Sequence, residues 1–169
     1  MKKLTILALL SLAPAALFAG SNPKATGSFT FVSNVDGNTA YIVLNAKQMD
    51  SNFDGQGTIY FQDGVGTAYL DVKYVRVDGT TAWIASQVGE GSNYPGQPVG
   101  SWFVNKVVDN AEPGVNVDTI QGAAIGQDLP GQSFKMIQAH QMVADPSVYQ
   151  AHAQTGDLKI TSGNIQVHP

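Results

Sequence analysis

The chain has 169 residues, a formal charge of −4, no cysteine, and one arginine, Arg76. That length suits one domain with its own core, and the acidic balance argues against nucleic acid and anionic membranes, both held mainly through Lys and Arg. Without cysteine there are no disulfides, thiol nucleophiles, zinc–thiolate sites or iron–sulfur ligands.

Residues 1–19 read as a signal peptide: Lys2 and Lys3 precede an apolar run over 4–18, and Ala19 supplies the small residue before cleavage. The run is too short for a comfortable membrane span. Ser21 stands where a lipoprotein would carry its lipidated cysteine. The expectation is a secreted or periplasmic protein with a polar segment at 20–26 and a single β-domain over 27–169. Once Lys2 and Lys3 are removed, seven basic residues face thirteen acidic ones, a charge of −6.

From there the chain runs in short segments rich in Val, Ile, Tyr, Phe, Trp and Thr, punctuated by glycine. Phe29 and Phe31 alternate with Ser28 and Thr30 in a half-buried strand, and Asp36-Gly37-Asn38 turns into 39–46, whose continuous apolar run predicts burial on both faces or at a seam. Asp50-x-Asn52-x-Asp54-Gly55 follows, with the spacing that opens a calcium loop. The twelfth position is Phe61 instead of glutamate, so calcium is the only cofactor suggested, beside the alternative of a polar turn.

Ile59 and Phe61 mark the next strand, closed by Asp63-Gly64. In 67–77 the apolar phase shifts around Tyr74, which predicts a β-bulge. Asp78-Gly79 is the strongest hairpin signal, with positive φ expected at both positions. The loop 89–100 offers Asn93 and Tyr94 as a candidate contact surface. Trp102, Val104 and Val108 share one face of 101–109, and 118–121 is a further short strand. Asp145-Pro146 caps one short helix near 146–155, and strand character returns over 157–167.

The fold expectation is all-β: an antiparallel meander forming a flattened barrel or sandwich, with that one helix. Phe29, Phe31, Ile59, Phe61, Leu70, Val72, Trp102 and Val104 are expected to share one core.

Three stretches, Thr81-Ala82-Trp83-Ile84 after Asp78-Gly79, Val107 to Gly114 with Asp118-Thr119-Ile120, and the terminal Gly163-Asn164-Ile165-Gln166-Val167-His168, resemble the post-COAP type of exported bacterial β-domain. The resemblance covers roughly residues 29–168, with Ala111 replacing a glycine of the acidic turn. It implies an extracellular β-domain and no catalytic residue.

Other constellations point to chemistry less directly. Asp109, Glu112 and Asp118 are carboxylates that a hydrolase would need in one cleft. His140, His152 and His168 lack metal spacing, and no serine elbow is present, although His140 and His152 could converge if the helix folds back. Trp83, Trp102, Tyr60, Tyr69 and Tyr74 could line a sugar-binding face, although aromatics at strand spacing more often serve as core or cross-strand pairs. The residues therefore favour an exported, non-catalytic domain that binds or scaffolds an extracellular or cell-surface partner, without nucleic acid and without a membrane span. The alternative is a carrier whose barrel encloses a small apolar ligand; it requires a cavity of about 300 Å³ or more, where a scaffold packs solid.

Overall fold

The computed structural model describes residues 22–34, 36–110 and 117–169; the expected signal peptide and Glu112 lie outside them. Eight strands form a closed antiparallel barrel in sequence order: β1 (Lys24–Val32), β2 (Thr39–Gln48), β3 (Gly55–Gln62), β4 (Thr67–Asp78), β5 (Thr81–Val88), β6 (Ser101–Val108), β7 (Thr119–Gln127) and β8 (Leu158–His168). Two helices, α1 (Phe134–Ala144) and α2 (Pro146–His152), lie between β7 and β8. No helix among the described residues is long and apolar enough to cross a membrane.

The meander follows from short connections between two-faced strands. β2 alternates strictly, with Ala40, Ile42, Leu44 and Ala46 buried and Tyr41, Val43 and Asn45 outside. Its outer face meets solvent, which corrects the expected burial on both faces. β1 starts earlier than expected, at Lys24, because Ala25 pairs with Ala46 and Val167 and is fully buried. The register of β4 against β5 slips between Val72 and Tyr74, the bulge that the phase shift predicts. It keeps Leu70, Val72 and Val75 all inside.

The β4–β5 hairpin differs from expectation by one residue. Asp78 pairs with Thr81, so the two-residue loop is Gly79-Thr80, with left-handed φ (58°) at Gly79 alone. Glycine leading the loop is the type II′ pattern, whose twist also suits a hairpin.

The apolar residues form two cores. The barrel interior holds Phe29, Phe31, Ile42, Leu44, Ile59, Leu70, Val72, Val75, Ile84, Val107, Ile120, Ile160 and Ile165. Trp102 and Val104 do not join it. They point outward from β6 and pack with Ala85 and Ala123 beneath Ala139, Met142, Val143 and Tyr149 of the helices. β6 thus buries both faces, so its apolar pattern carries two parities.

Where one helix is expected, the described residues form two. α2 begins as its sequence indicates: the Asp145 side chain accepts from the Ser147 backbone N–H at 2.9 Å, with Pro146 in the first turn. Hydrogen bonds from Ser147 hold that carboxyl below its usual pKa. α1 has no local side-chain cap at Ser133. Asp128, well upstream, instead accepts from the N–H groups of Lys135 (2.7 Å) and Met136 (3.1 Å). Ala139, Met142 and Val143 then give the helical spacing that docks α1 on the barrel. At the far end of α1, Arg76 donates to the Ala144 carbonyl at 2.7 Å while its guanidinium lies 5.6 Å from the ring centres of Phe53 and Trp83.

Gly163 fits where no other residue would. Its φ is +88°, and an added Cβ would strike the Ser28 carbonyl oxygen and sit 2.6 Å from Phe29 Cα, beside the register slip between β1 and β8. Gly163→Ala is expected to cost at least about 1–2 kcal/mol from the backbone conformation alone. A urea midpoint equal to that of the wild type would contradict this packing of β8 on β1.

Candidate ligand-binding cavity

Eight strands enclose an interior just wide enough to be filled by side chains or to hold one small ligand. Here it is incompletely filled. A partly open cavity of about 360 Å³ lies inside the barrel, towards the lower end of the range for ligand pockets, about 300–1,000 Å³. Ile42, Ile59, Leu70 and Ile120 form apolar wall, and Ala40, Ala68, Gly122 and Ala124 keep the space open by being small.

Alternate connections of a meander fall at the same barrel end. Ser33 and Asp36 from the β1–β2 turn, Asp63 from the β3–β4 turn, and Tyr94 and Gln97 from the β5–β6 loop therefore meet at one rim. The Tyr94 hydroxyl donates to Asp63 at 3.0 Å, and its ring stands edge-on to Phe61 with centres 5.4 Å apart. Phe61 is only half-buried because its ring lines this space, where the sequence led us to expect a fully packed core position. Burial, the hydrogen bond to Asp63 and the negative field of Asp63 and Asp36 push the Tyr94 phenol up to about 12. Asp36 is held below its usual pKa by the Ser33 side chain and the Asn38 backbone N–H.

Asn93 and Tyr94 divide their roles. Asn93 is exposed but ties the loop to β4, accepting from the Thr67 N–H at 2.8 Å and donating its own N–H to the Thr67 carbonyl at 2.9 Å. Tyr94 faces the cavity. Asn105 escaped the sequence reading altogether. It follows the inward parity of Phe103 and Val107, lines the cavity, and its amide makes no hydrogen bond within the described residues. Its signal is a polar residue between Val104 and Val107, masked because the opposite face, with Trp102 and Val104, is apolar and buried too.

The remaining wall is the seam between β7 and β8, which share only the pairs Thr119–Lys159 and Ile120–Leu158. Above them, Gln154 and Thr155 do the work of a missing strand. The Gln154 amide donates to the Ala124 carbonyl (3.0 Å) and accepts from its N–H (3.1 Å), while the Thr155 hydroxyl accepts from the Gly122 N–H (3.0 Å). Gln154, Thr155 and Leu158 all line the cavity.

The other candidates make local contacts. Asp50 accepts through one carboxylate oxygen from the backbone N–H groups of Asn52 (2.9 Å) and Asp54 (3.1 Å), a polar turn in which Phe53 adopts φ 68°. Among the described residues no three His, Asp or Glu side chains gather into one group. Asp118 accepts from the Asn110 and Ile165 N–H groups, and Asp109 from Val167. His140 bonds the Asn52 carbonyl at 3.0 Å and stands edge-on to Tyr74, while His152 bonds Val148 of its own helix. Tyr74 and Trp102 stack beneath α1, and Trp83 packs against the same cluster, whereas Tyr60 and Tyr69 pair with each other on the uncovered outer face. The five aromatics thus form no single platform. Compared with family models, with curated proteins and with solved structures, the chain matches none.

Two outcomes are expected. Asp50→Ala should lower stability by about 1–2 kcal/mol through loss of two backbone hydrogen bonds, equally in millimolar calcium and in chelator; a calcium-dependent rise in wild-type Tm that this variant abolishes would instead assign Asp50 to a cation. Tyr94 holds its proton more tightly when folded, so its contribution is complete below the ordinary value of 10.0 and declines as pH climbs from there towards about 12. Urea midpoints across that interval should fall less steeply for Tyr94→Phe than for the wild type.

Proposed function

We propose that this protein is an exported, non-catalytic carrier that holds one small amphipathic molecule inside its barrel. The observation that carries the reading is the 360 Å³ cavity bounded by Ile42, Ile59, Leu70 and Ile120. A domain serving only as a scaffold gains from filling such a space, since each unfilled volume forfeits contacts and costs stability. The Asn105 amide adds a further argument. An all-hydrocarbon ligand would leave that group unpaired in a dry site, which is costly, so the molecule carries hydrogen-bonding groups as well as an apolar body. Export and the post-COAP resemblance belong to the same proposal: under it the carrier works in the periplasm or the medium and exchanges its ligand with a partner at the cell surface.

Nile red, a neutral dye that brightens in apolar surroundings, tests this directly. We expect saturable binding at one site. Ala68→Phe, placed beside Phe61 in the register of β3 and β4, should weaken it about tenfold or more, equivalent to about 1.4 kcal/mol. Added volume in a filled core typically costs about 1–3 kcal/mol of stability, so a melt accompanies the titration. Absence of saturable binding, or binding indifferent to this substitution in a folded variant, would refute the carrier reading.

A further inference from the structure

The proposed carrier function leaves the ligand's polar end unspecified, and the rim supplies a basis for choosing it. The charged side chains lining the cavity are Asp36 and Asp63; among the described lining residues there is no Lys, Arg or His. Both carboxylates are fixed. Asp36 accepts from the Asn38 backbone N–H at 3.1 Å and from its side-chain amide at 2.9 Å. Asp63 accepts from Val65 (2.7 Å) and Gly66 (3.0 Å) through one oxygen and from Tyr94 through the other. A head group entering here meets two negative charges oriented by these bonds: Asp63 beside the Tyr94 and Phe61 rings, where the apolar wall strengthens its field, and Asp36 exposed at the mouth. The single guanidinium of the chain is committed elsewhere, between Phe53 and Trp83.

We propose that the cavity selects amphiphiles whose head is a positively charged hydrogen-bond donor, such as an alkylamine, and discriminates against carboxylate-headed chains such as fatty acids. This rests on the carrier reading and adds to it the sign of the ligand's charge. An ammonium would donate to carboxylate oxygens at the rim while its chain occupies the apolar interior. A carboxylate there would gain no cationic partner and would face two like charges.

Decylamine, decanol and decanoate share one chain and differ in the head, so their displacement of Nile red at neutral pH isolates the effect. The expected order of affinity is amine, then alcohol, then carboxylate, with about tenfold or more between the first and last and a narrower gap at high salt. Asp36→Asn combined with Asp63→Asn keeps amide oxygens where the turns need acceptors, so the fold should survive, as a melt will verify. In that variant the amine and the carboxylate should bind alike, each compared with decanol, whose own affinity reports any general change in the cavity. Decanoate binding as tightly as decylamine, a preference that persists in the double variant, or failure of all three to displace bound dye would overturn the charge selection and leave the cavity's carrier role standing. Failure of Nile red to bind at all would remove both.

Discussion

The barrel depends on how its last strand meets its neighbour. β8 lies fully along β1 yet shares two residue pairs with β7, so the two edges are staggered and each exposes N–H groups the other cannot reach. Side chains close both gaps. Asp118 and Asp109 accept from the Ile165 and Val167 N–H groups, and Gln154 and Thr155 accept from Ala124 and Gly122. A buried N–H left without a partner costs about 1–3 kcal/mol. Asp118, only 7% exposed, satisfies one on β8 and another at Asn110. Of the carboxylates that suggested acid–base chemistry, Asp109 and Asp118 join the ends of the sheet.

The stagger also explains the helices and the cavity. A connection long enough to carry α1 and α2 can leave β7, cover the outward side chains of β4 to β7, and return at residues 154–157 to complete the wall. Arg76 fixes that excursion by holding the α1 C-terminus, where exposed carbonyls favour a cation. Because side chains and a short linker close the upper seam, small residues such as Gly122 and Ala124 border open volume there. Closure by a full-length β7–β8 ladder would bring another row of inward side chains.

Much of this architecture was legible in the residues. The strands were marked by alternation and by glycine-bearing turns, the β4 bulge by a one-residue change of phase, and α2 by Asp145-Pro146. The misreadings share a cause. In β5 and β6 both faces are covered, one by the barrel and one by helices, so alternation no longer says which residue points inward; Trp102 and Phe103 are both apolar, and the larger one lies outside. α1 escaped because its cap, Asp128, is far from the helix start. The cavity was invisible for a different reason. It arises from the packing of residues on many strands, and Ala40, Ala68 and Gly122 mark it only once they face one another.

The bulge in β4 carries a consequence for how such a chain can change length. Before it, Tyr69 and Asp71 look into solvent; after it, Tyr74 looks towards α1 and Arg76 grips the end of that helix. The extra residue, Lys73, is itself exposed and contributes only a long, solvated contact with Asp71. Its chemistry is dispensable, yet its place in the count is not. Exchanging it for another side chain would alter little. Omitting it would rotate everything downstream by one face, carrying a guanidinium into the barrel and valines out towards the helices. The strand thus holds a position whose identity is free and whose existence is constrained, so natural variants should diverge there by substitution while insertions and deletions gather in the turns.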